Sequence, residues 1–317
     1  MVATRFRRTL ATCLQAGLLL LPLGAASANV LNVADQKGLL HALCDAAHAL
    51  DGAPYTISWS EFPAAAPLLE ALNAGAVDIG VAGDSPMLFA YAAGAPVHAV
   101  LALRPAAADV MAILVPPQSN IHKVADLRGR LIGVTKGSIG QALVLALLGQ
   151  AGMSAHDVRF AYLSQMDASA AMRAGSIDAW STWQPYIGLQ VAQGEARILV
   201  DARDVPRGAS FAVSSTQALA KNGAEIGDFV RRIRQAQEWA GAHLDVYAGI
   251  YSRSTGVPLP IALTAAKALV GAPVPMDESL QSTERSILAL YVRAGIIPSL
   301  PDISGAFDRR FESPPVQ

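Results

Sequence analysis

The sequence carries the same eight-residue pattern twice, one hundred positions apart. Leu72–Ile79 has the sequence LNAGAVDI, and Met172–Ala179 has the sequence MRAGSIDA. Each copy predicts a helix end, a stop at Gly75 or Gly175 and the start of an apolar strand, because glycine readily adopts the left-handed conformation that closes helices. A helix-to-strand junction that occurs twice predicts two halves with related folds.

The similarity extends over a strand, a helix and a second strand before each copy of the pattern. A βαβαβ unit in each half predicts parallel strands flanked by helices. We therefore predict an α/β protein of two lobes joined by a hinge, each lobe a mainly parallel sheet with helices on its faces. The first half has a strand at 31–34, a helix through residue 50 and a strand at 55–59, and the second half has a strand at 131–134, a helix through residue 150 and a strand at 158–163.

The chain length of 317 residues agrees with two lobes of roughly 100–150 residues each. Breaks in the apolar pattern predict two crossings between them, which assign lobe 1 to residues 29–105 and 212–317 and lobe 2 to residues 106–211. Helical periodicity marks the C-terminal third, and the tail has a weak pattern that predicts partial disorder. Further predicted elements are strands at 97–103, 111–115 and 211–214, helices at 224–242 and 279–294, and the tail at 302–317.

The N-terminus has the three parts of a secretory signal. Arg5, Arg7 and Arg8 precede an apolar run at 10–23, and Ala26-Ser27-Ala28 follows as a small-residue cleavage pattern. The run is shorter than the roughly 20 apolar residues that span a bilayer. Residues 1–28 are therefore predicted to be a signal peptide, and the mature protein is predicted to be periplasmic.

Composition narrows the possible partners. Removing residues 1–28 lowers the basic count from 24 to 21 against 25 acidic residues, a net charge of −4. That charge gives no reason to expect nucleic acid or an anionic membrane surface as partner. Of the two cysteines only Cys44 remains, so no intramolecular disulfide is expected.

The sequence shows no pattern of a catalytic or metal centre. His41, Cys44 and His48 fall on one helical face, but three such residues on one helix seldom complete a metal shell. No HExxH, GxSxG or P-loop pattern occurs. We expect no metal, no cofactor and no enzymatic activity.

A ligand is expected where the carboxyl ends of the parallel strands face the cleft. Three of the four loops there lead into a predicted helix start, where unpaired backbone N–H groups favour an anion. The loops are 35–38, 83–86, 135–141 and 180–186.

Polar and aromatic side chains in these loops are the candidate ligand contacts, and each has a structural alternative. Ser138 is either a ligand donor or an ordinary helix cap. Trp180 and Trp183 either line the apolar side of a pocket or pack in the core, and Lys37 either attracts the anion or lies on the surface. The remaining candidates are Gln36, Ser85, Ile139, Gln141 and Gln184.

Several motifs follow one another in an order typical of one family. They are Glu61-Phe62-Pro63, Leu68 to Gly75, Val77-Asp78-Ile79-Gly80, Gly83-Asp84-Ser85-Pro86, Ala125 to Gly129, Thr135-Lys136-Gly137-Ser138 and Ile177-Asp178-Ala179-Trp180. They resemble the motifs of periplasmic aliphatic-sulfonate-binding proteins, in a group that includes taurine- and nitrate-binding proteins. The resemblance implies a type II periplasmic-binding-protein fold that closes on a small organic anion. It also implies delivery of that anion to the permease and ATPase of an ABC importer, and we expect a monomer.

Three cleft positions depart from the motifs of that family. Ile139 and Gln141 stand where members often carry a serine and a histidine, and Gln184 stands where they often carry an aspartate. Loss of a carboxylate favours an anion, whereas loss of two polar donors does not. The alternatives are therefore the same fold with taurine, nitrate, a sulfate ester or a thiamine-precursor pyrimidine as ligand, or a related-fold biosynthetic enzyme.

Overall fold

The computed structural model describes residues 29–105, 107, 110–205 and 207–312. The signal peptide predicted at 1–28 lies outside these residues. The strands are β1 Val30–Gln36, β2 Thr56–Phe62, β3 Ile79–Gly83, β4 Val97–Pro105, β5 Met111–Val115, β6 Leu131–Val134, β7 Arg159–Tyr162, β8 Ala179–Trp183, β9 Arg197–Asp201, β10 Ser210–Ser215 and β11 Gly271–Val274. The α-helices are α1 Leu39–Ala46, α2 Ala65–Asn73, α3 Asp84–Ala92, α4 Ile139–Gln150, α5 Gln165–Arg173, α6 Tyr186–Ala192, α7 Thr216–Lys221, α8 Gly223–Ala242, α9 Leu244–Thr255, α10 Leu259–Leu269 and α11 Glu278–Arg293.

The strands form two sheets with equivalent topologies. The first has the order β11-β4-β10-β3-β1-β2 and the second the order β7-β6-β8-β5-β9. Apart from the edge strand β11, the strand order β4-β10-β3-β1-β2 of the first sheet corresponds strand by strand to the order β9-β5-β8-β6-β7 of the second. We call the first sheet with α1–α3 and α7–α11 lobe 1, and the second sheet with α4–α6 lobe 2. The predicted two-lobed α/β fold is confirmed.

The repeat seen in the sequence is kept in the backbone at the same offset. Helices α1 and α4 begin at Leu39 and Ile139, and strands β3 and β8 begin at Ile79 and Ala179. A residue of the first half therefore has a counterpart one hundred positions later. The residues of the two lobes can thus be compared pair by pair.

The sheets are mixed, and most strands of each sheet run in one direction, as predicted. β1 pairs in parallel with β2 and β3, and β6 pairs in parallel with β7 and β8. In each lobe one further strand runs antiparallel between two others: β10 between β3 and β4, and β5 between β8 and β9. These are the strands that have just crossed from the other lobe.

The second crossing ends slightly earlier than the sequence predicted. Ser210 already pairs with Gly83 of β3 and with Leu103 of β4. The boundary predicted after residue 211 therefore assigns the first two residues of β10 to the wrong lobe. The segment that changes lobes lies between β9 and β10, before residue 210.

An aspartate explains why the pattern ends in the same way in both halves. The Asp78 carboxylate accepts the backbone N–H of Asn32 at 2.8 Å, and the Asp178 carboxylate accepts that of Leu131 at 2.8 Å. The preceding Gly75 and Gly175 have φ values of 71° and 68°, the left-handed conformation that ends each helix. Each repeat thus fastens its third strand to its first.

The end of α1 differs from the prediction, and the tail packs on lobe 1 over the part that the structure describes. Helix α1 ends at Ala46 rather than near residue 50, because His48 takes a left-handed φ of 49° in the turn toward β2. The tail predicted to be partly disordered packs on lobe 1 as far as residue 312. Phe307 is buried there and bridges to Ala99 of β4. Residues 313–317 lie outside the described part of the chain.

Apolar side chains fill both faces of each sheet, as expected for sheets covered by helices. In lobe 1, α1 and α8–α10 cover one face, while α2, α3 and α11 cover the other. Among the residues that the structure describes, no helix combines the length and apolar character needed to cross a membrane.

The aspartate anchors give a stability prediction. Asp78 also accepts the Asn222 side-chain amide at 3.0 Å and is buried, whereas the Asp178 side chain is 33% exposed. We expect Asp78→Ala to lower the free energy of unfolding by about 3 kcal/mol, since it leaves several buried donors without an acceptor. Asp178→Ala is expected to cost about half as much.

Urea unfolding followed by circular dichroism measures both values. The control is Asp51→Ala, at a side chain that is 81% exposed, where we expect a change below about 0.5 kcal/mol. A loss at Asp178 equal to or larger than that at Asp78 would contradict this account of the repeat.

Candidate functional site

A cavity of about 160 Å³ lies between the lobes. Lobe 1 lines it with the loop from β1 to α1, the first turns of α1 and the end of β3. Lobe 2 contributes residues 135–139 and 183–186, the two loops that its equivalent strands place at the same edge. The cavity is thus at the carboxyl ends of the parallel strands, where the sequence predicted the ligand.

Six of the nine candidate residues line this cavity. They are Gln36, Lys37, Ser138, Ile139, Trp183 and Gln184. Three of these side chains already have partners within the protein, and one of them is Ser138, which accepts the N–H of Gln141 at 3.2 Å. The Gln36 amide donates to the Val81 carbonyl at 2.6 Å, and Gln184 accepts the N–H of Gly188 at 3.3 Å.

The other three candidates are fully buried beside the cavity and do not line it. Ser85 donates its hydroxyl to the Asp84 carboxylate at 2.9 Å, and Pro86 lines the cavity in its place. Gln141 accepts the N–H of Gly137 at 2.8 Å. Trp180 packs in the core of lobe 2, because it lies on the face of β8 opposite to that of Ser181 and Trp183.

Helix starts at the cleft differ between the lobes in one decisive respect. At the start of α1, the Asp35 carboxylate accepts the N–H groups of Leu40 and His41, each at 3.0 Å. At the start of α3, Asp84 accepts the N–H of Ser85. Both helix starts in lobe 1 are therefore neutralised by a carboxylate of the chain itself, as the helix dipole favours.

Lobe 2 carries a neutral residue at each equivalent position. One hundred residues after Asp35 and Asp84 stand Thr135 and Gln184. The Thr135 hydroxyl donates to the Leu163 carbonyl at 3.0 Å and accepts the Gln165 amide at 3.0 Å, so it is held away from α4 by its own network. No side-chain carboxylate within the described residues caps α4.

The start of α4 therefore remains open to an anion. Ser138 caps it by accepting the N–H of Gln141 at 3.2 Å, and Ser138 lines the cavity. Ile139 and Gly140 lie between Ser138 and Gln141. Their N–H groups have no partner within the helix, because the first turn of an α-helix leaves its donors unpaired. Together with the helix dipole they form a site that suits a small anion.

The charge around the cavity also favours an anion. Lys37 and Lys136 line it, one from each lobe, and Asp35 is the acidic residue among its described lining residues. Burial raises the pKa of Asp35, and the N–H groups that it accepts from His41 and Leu40 act in the opposite direction. Lys37 has a φ of 58°, a left-handed conformation that is uncommon outside glycine and that aims the loop at the cleft.

Two functional candidates were missed by the sequence analysis, Lys136 and Tyr186. Lys136 could have been found by aligning the two repeats, since it is the counterpart of Gln36 one hundred positions later. Tyr186 lines the cavity and is 9% exposed, and its hydroxyl has no hydrogen-bond partner among the described residues. Burial and the nearby Glu61 raise its pKa to about 12, so the hydroxyl keeps its proton at neutral pH. The hydroxyl is thus a buried donor without a partner among the described residues.

The wall of the cavity that belongs to lobe 1 is largely apolar. Leu40, Leu43 and Leu103 contribute to it, together with Val110 from the crossing segment. Trp183 of lobe 2 completes this surface and contacts Tyr186 edge to face, with ring centroids 6.4 Å apart. The site therefore combines one polar, positively charged end in lobe 2 with an apolar end in lobe 1.

The lobes touch on both sides of the cavity through glycines. A Cβ atom built on Gly83 would lie 2.8 Å from Cγ2 of Ile139, and one built on Gly188 would lie 2.7 Å from Cγ2 of Ile261. Both distances are too short for a real side chain, so only glycine permits these contacts. Ile139 thus joins the lobes as well as lining the cavity, which gives a physical reason for an apolar residue there.

No group of three or more histidine, cysteine or acidic side chains is placed to hold a metal ion among the residues described. His41 stacks on Trp59, with ring centroids 4.5 Å apart, and Cys44 is buried in the core of lobe 1. Burial raises the pKa of the Cys44 thiol, so it stays protonated.

Comparison with known proteins identifies the family. The family model described as NMT1/THI5 like matches residues 62–245. A curated Escherichia coli (strain K12) protein named for binding aliphatic sulfonates is 35% identical over 238 residues, which cover 74% of this chain and 74% of that protein. This chain belongs to the NMT1/THI5-like family. The resemblance to aliphatic-sulfonate-binding proteins seen in the motifs is confirmed.

Solved structures agree with this assignment. The alkanesulfonate-binding protein SsuA from Xanthomonas axonopodis pv. citri, bound to MOPS, superposes with a TM-score of 0.82 at 29% identity, covering 90% of this chain and all of that one. The desulfurization enzyme DszB superposes with a TM-score of 0.64 at 17% identity, covering 89% of this chain and 97% of that one. The second likeness concerns the fold alone.

The hydroxyl of Tyr186, which has no hydrogen-bond partner among the described residues, gives a prediction for the ligand-free protein. A buried hydroxyl without a partner costs desolvation and returns no hydrogen bond. Tyr186→Phe is therefore expected to leave the free energy of unfolding unchanged or to raise it by up to about 1 kcal/mol. Urea unfolding of the ligand-free protein measures the change.

Tyr247→Phe is the matched control, because that buried hydroxyl donates to the Leu39 carbonyl at 3.1 Å. We expect it to lower stability by about 1 kcal/mol. If Tyr186→Phe destabilised the protein as much as Tyr247→Phe, the hydroxyl of Tyr186 would have a partner in the ligand-free protein, and its role as a free donor would be wrong.

Proposed function

We propose that this chain is the extracytoplasmic solute-binding protein of an ABC importer, and that it captures a sulfonate with an apolar organic group in the cleft between its lobes. The single observation that carries the proposal is the open start of α4, opposite two helix starts that Asp35 and Asp84 already neutralise. The positive charge of Lys37 and Lys136 and the apolar wall of lobe 1 support the same ligand class.

A sulfonate has three equivalent oxygens and one negative charge, and it needs several donors at one end. In the proposed complex the N–H groups of Ile139 and Gly140, the hydroxyls of Ser138 and Tyr186 and the two lysine ammonium groups supply them. The organic group then lies against Leu40, Leu43 and Trp183, where apolar contact removes it from water. Among the described lining residues, the one carboxylate is occupied by N–H groups, which disfavours an additional cationic group such as the amine of taurine.

The proposed mechanism is closure of the lobes over the ligand. The charged end contacts lobe 2 and the apolar end contacts lobe 1, so both sets of contacts form together only in the closed arrangement. A ligand shifts such an equilibrium by its differential affinity for the closed form. The closed form, as a monomer, then presents its outer surface to a membrane permease and its ATPase.

Export completes the proposal. The predicted signal peptide at 1–28 would carry the protein out of the cytoplasm. A relative of known structure is named as a periplasmic binding protein. The chain is proposed to bind its ligand without changing it. The enzyme alternative rests on fold likeness alone, which is weak support for a shared reaction.

A thermal-shift screen of the protein from residue 29 onward tests the ligand class. Binding to the folded state raises the melting temperature by mass action. We expect alkanesulfonates to raise it, and we expect taurine, nitrate and pyrimidines to have smaller effects at equal concentration. A shift with one of those solutes and none with any sulfonate would overturn the ligand while leaving a binding role, and chemical conversion of the ligand would overturn the binding role itself.

Thr135→Asp tests the observation that carries the proposal. The new carboxylate would stand where Asp35 stands in the other repeat and would occupy the N–H groups at the start of α4. We expect sulfonate affinity to fall by at least about tenfold, as one unfavourable charge interaction of about 1.4 kcal/mol requires. Isothermal titration calorimetry measures the affinity.

Thr135→Val is the matched control, since it removes the same hydroxyl network without adding charge. Its affinity should stay within about threefold of the unchanged protein, because a neutral substitution leaves the helix start open. Equal affinity in Thr135→Asp and the unchanged protein would place the anion elsewhere.

A further inference from the structure

Two buried carboxyl groups meet at the segment that crosses back into lobe 1. Asp84, the first residue of α3, is 7% exposed, and Glu284 in the middle of α11 is fully buried. Both face Gly208, which lies between β9 and β10. A Cβ atom built on Gly208 would overlap Oδ2 of Asp84 and would lie 2.7 and 2.8 Å from the two carboxylate oxygens of Glu284.

The pair holds this segment through its backbone. Asp84 accepts the N–H of Gly208, and Oε1 of Glu284 accepts the N–H of Ala209 at 3.1 Å. Asp84 also accepts the N–H and hydroxyl of Ser85. Two consecutive N–H groups of the crossing segment are therefore bound by carboxyls of lobe 1, directly before β10 begins.

The charges near the pair do not balance two buried carboxylates. Arg104 of β4 is the basic group that acts on Glu284, but it is exposed to solvent. Tyr291 of α11 also faces Asp84, and its hydroxyl carries no charge at neutral pH. Oε2 of Glu284 has no hydrogen-bond partner among the described residues. Two adjacent buried acids without a buried cation favour the state in which one of them keeps a proton.

The titration behaviour agrees with this geometry. Burial raises the pKa of Asp84 to about 6. Burial also raises the pKa of Glu284 well above its usual range, and the neighbouring Asp84 raises it further. The two groups titrate as a pair, so the proton that remains after the first is lost belongs to both.

Helix α11 connects this pair to the ligand site. Two turns after Glu284, the hydroxyl of Tyr291 donates to the Ser138 carbonyl at 2.7 Å, across the boundary between the lobes. Ile287 and Tyr291 pack there against Ala142 and Leu145 of α4. A repulsion that moves α11 away from α3 therefore weakens contacts that hold lobe 2 and the start of α4 in the closed arrangement.

We propose that Asp84 and Glu284 share one proton, that the protonated pair clamps Gly208 and Ala209 to lobe 1, and that loss of this proton weakens ligand binding. The part that concerns the ligand rests on the proposed function. The closed form binds the proton more tightly than the open form, in which the crossing segment moves. Affinity is then highest at low pH and falls as the pH rises through the range in which the pair loses its proton. Asp84 and Glu284 are positioning residues, since neither lines the cavity.

The test measures the affinity of hexanesulfonate by calorimetry from pH 5 to pH 8.5. This ligand has no group that titrates in the range, so any pH dependence belongs to the protein. A difference of one pKa unit between the open and closed forms corresponds to about a tenfold loss of affinity across the range, and we expect a loss of this size.

In Glu284→Gln the amide keeps an acceptor for Ala209 and offers a permanent donor to Asp84, so the affinity should not vary with pH. Asp84→Asn is the second variant if Glu284→Gln fails to fold.

Two controls separate the pair from other titrating groups. Glu278→Gln changes an exposed glutamate on the same helix, with a side chain that is 79% exposed. His41→Gln removes the histidine on α1 beside the cleft. Both should keep the pH dependence of the unchanged protein. If the amide variants kept it too, or if His41→Gln abolished it, the proposed clamp would be wrong.

A failure of the proposed function has a different signature. Absence of binding at every pH in every variant would overturn that function and, with it, the link to the ligand. Urea unfolding of the ligand-free protein then decides the shared proton alone. Stability that falls from pH 5 to pH 8.5 in the unchanged protein, but not in Glu284→Gln, supports the shared proton, and equal curves overturn it.

Discussion

The first turn of α4 has unpaired N–H groups and no carboxylate to accept them, and the ligand site depends on this. In lobe 1 the same turn of α1 is capped by Asp35, which accepts two N–H groups at 3.0 Å. In lobe 2 the equivalent Thr135 is engaged with Leu163 and Gln165 instead. The carboxylates of lobe 1 therefore satisfy N–H groups at its helix starts, whereas the start of α4 in lobe 2 keeps a partial positive charge that favours an anion. In the proposed complex the same asymmetry couples the lobes, because the charge of the ligand contacts lobe 2 and its apolar part contacts lobe 1.

The way the chain crosses between the lobes serves the same arrangement. Strands β5 and β10 each enter the opposite sheet antiparallel to their neighbours, so each lobe contains one strand that arrives directly from the other. The lobe closure that we propose would bend the short segments before these strands. Gly208 and Ala209 in one of them are bound to Asp84 and Glu284, which limits where that segment bends. Glycines at 83 and 188 let the lobes approach closely on either side of the cavity.

Much of the fold followed from periodicity and from the repeat. Strands at 111–115 and 131–134 and the end of α4 at Gln150 were predicted at their observed bounds, because glycine stops and apolar alternation are local signals. The antiparallel insertion of β10 was not predicted, since strand direction depends on which sheet a strand joins after a crossing. Among the candidate site residues, Ser138 and Trp183 line the cavity, and their contact with a ligand stays a prediction. Trp180 and Gln141 lie in the right loop or strand but face the interior. Side-chain direction at a strand end or in a helix turn is set by tertiary packing, which one sequence does not specify. Tyr186 was missed because its importance lies in a hydroxyl without a partner, and that is visible only in three dimensions.

A crystal structure of the protein in complex with hexanesulfonate would show directly where the sulfonate lies. We predict that the sulfonate oxygens lie within hydrogen-bonding distance of the N–H groups of Ile139 and Gly140, with the alkyl chain against Leu40 and Leu43. A sulfonate bound at the start of α1 or α3, or outside the cleft, would contradict this prediction.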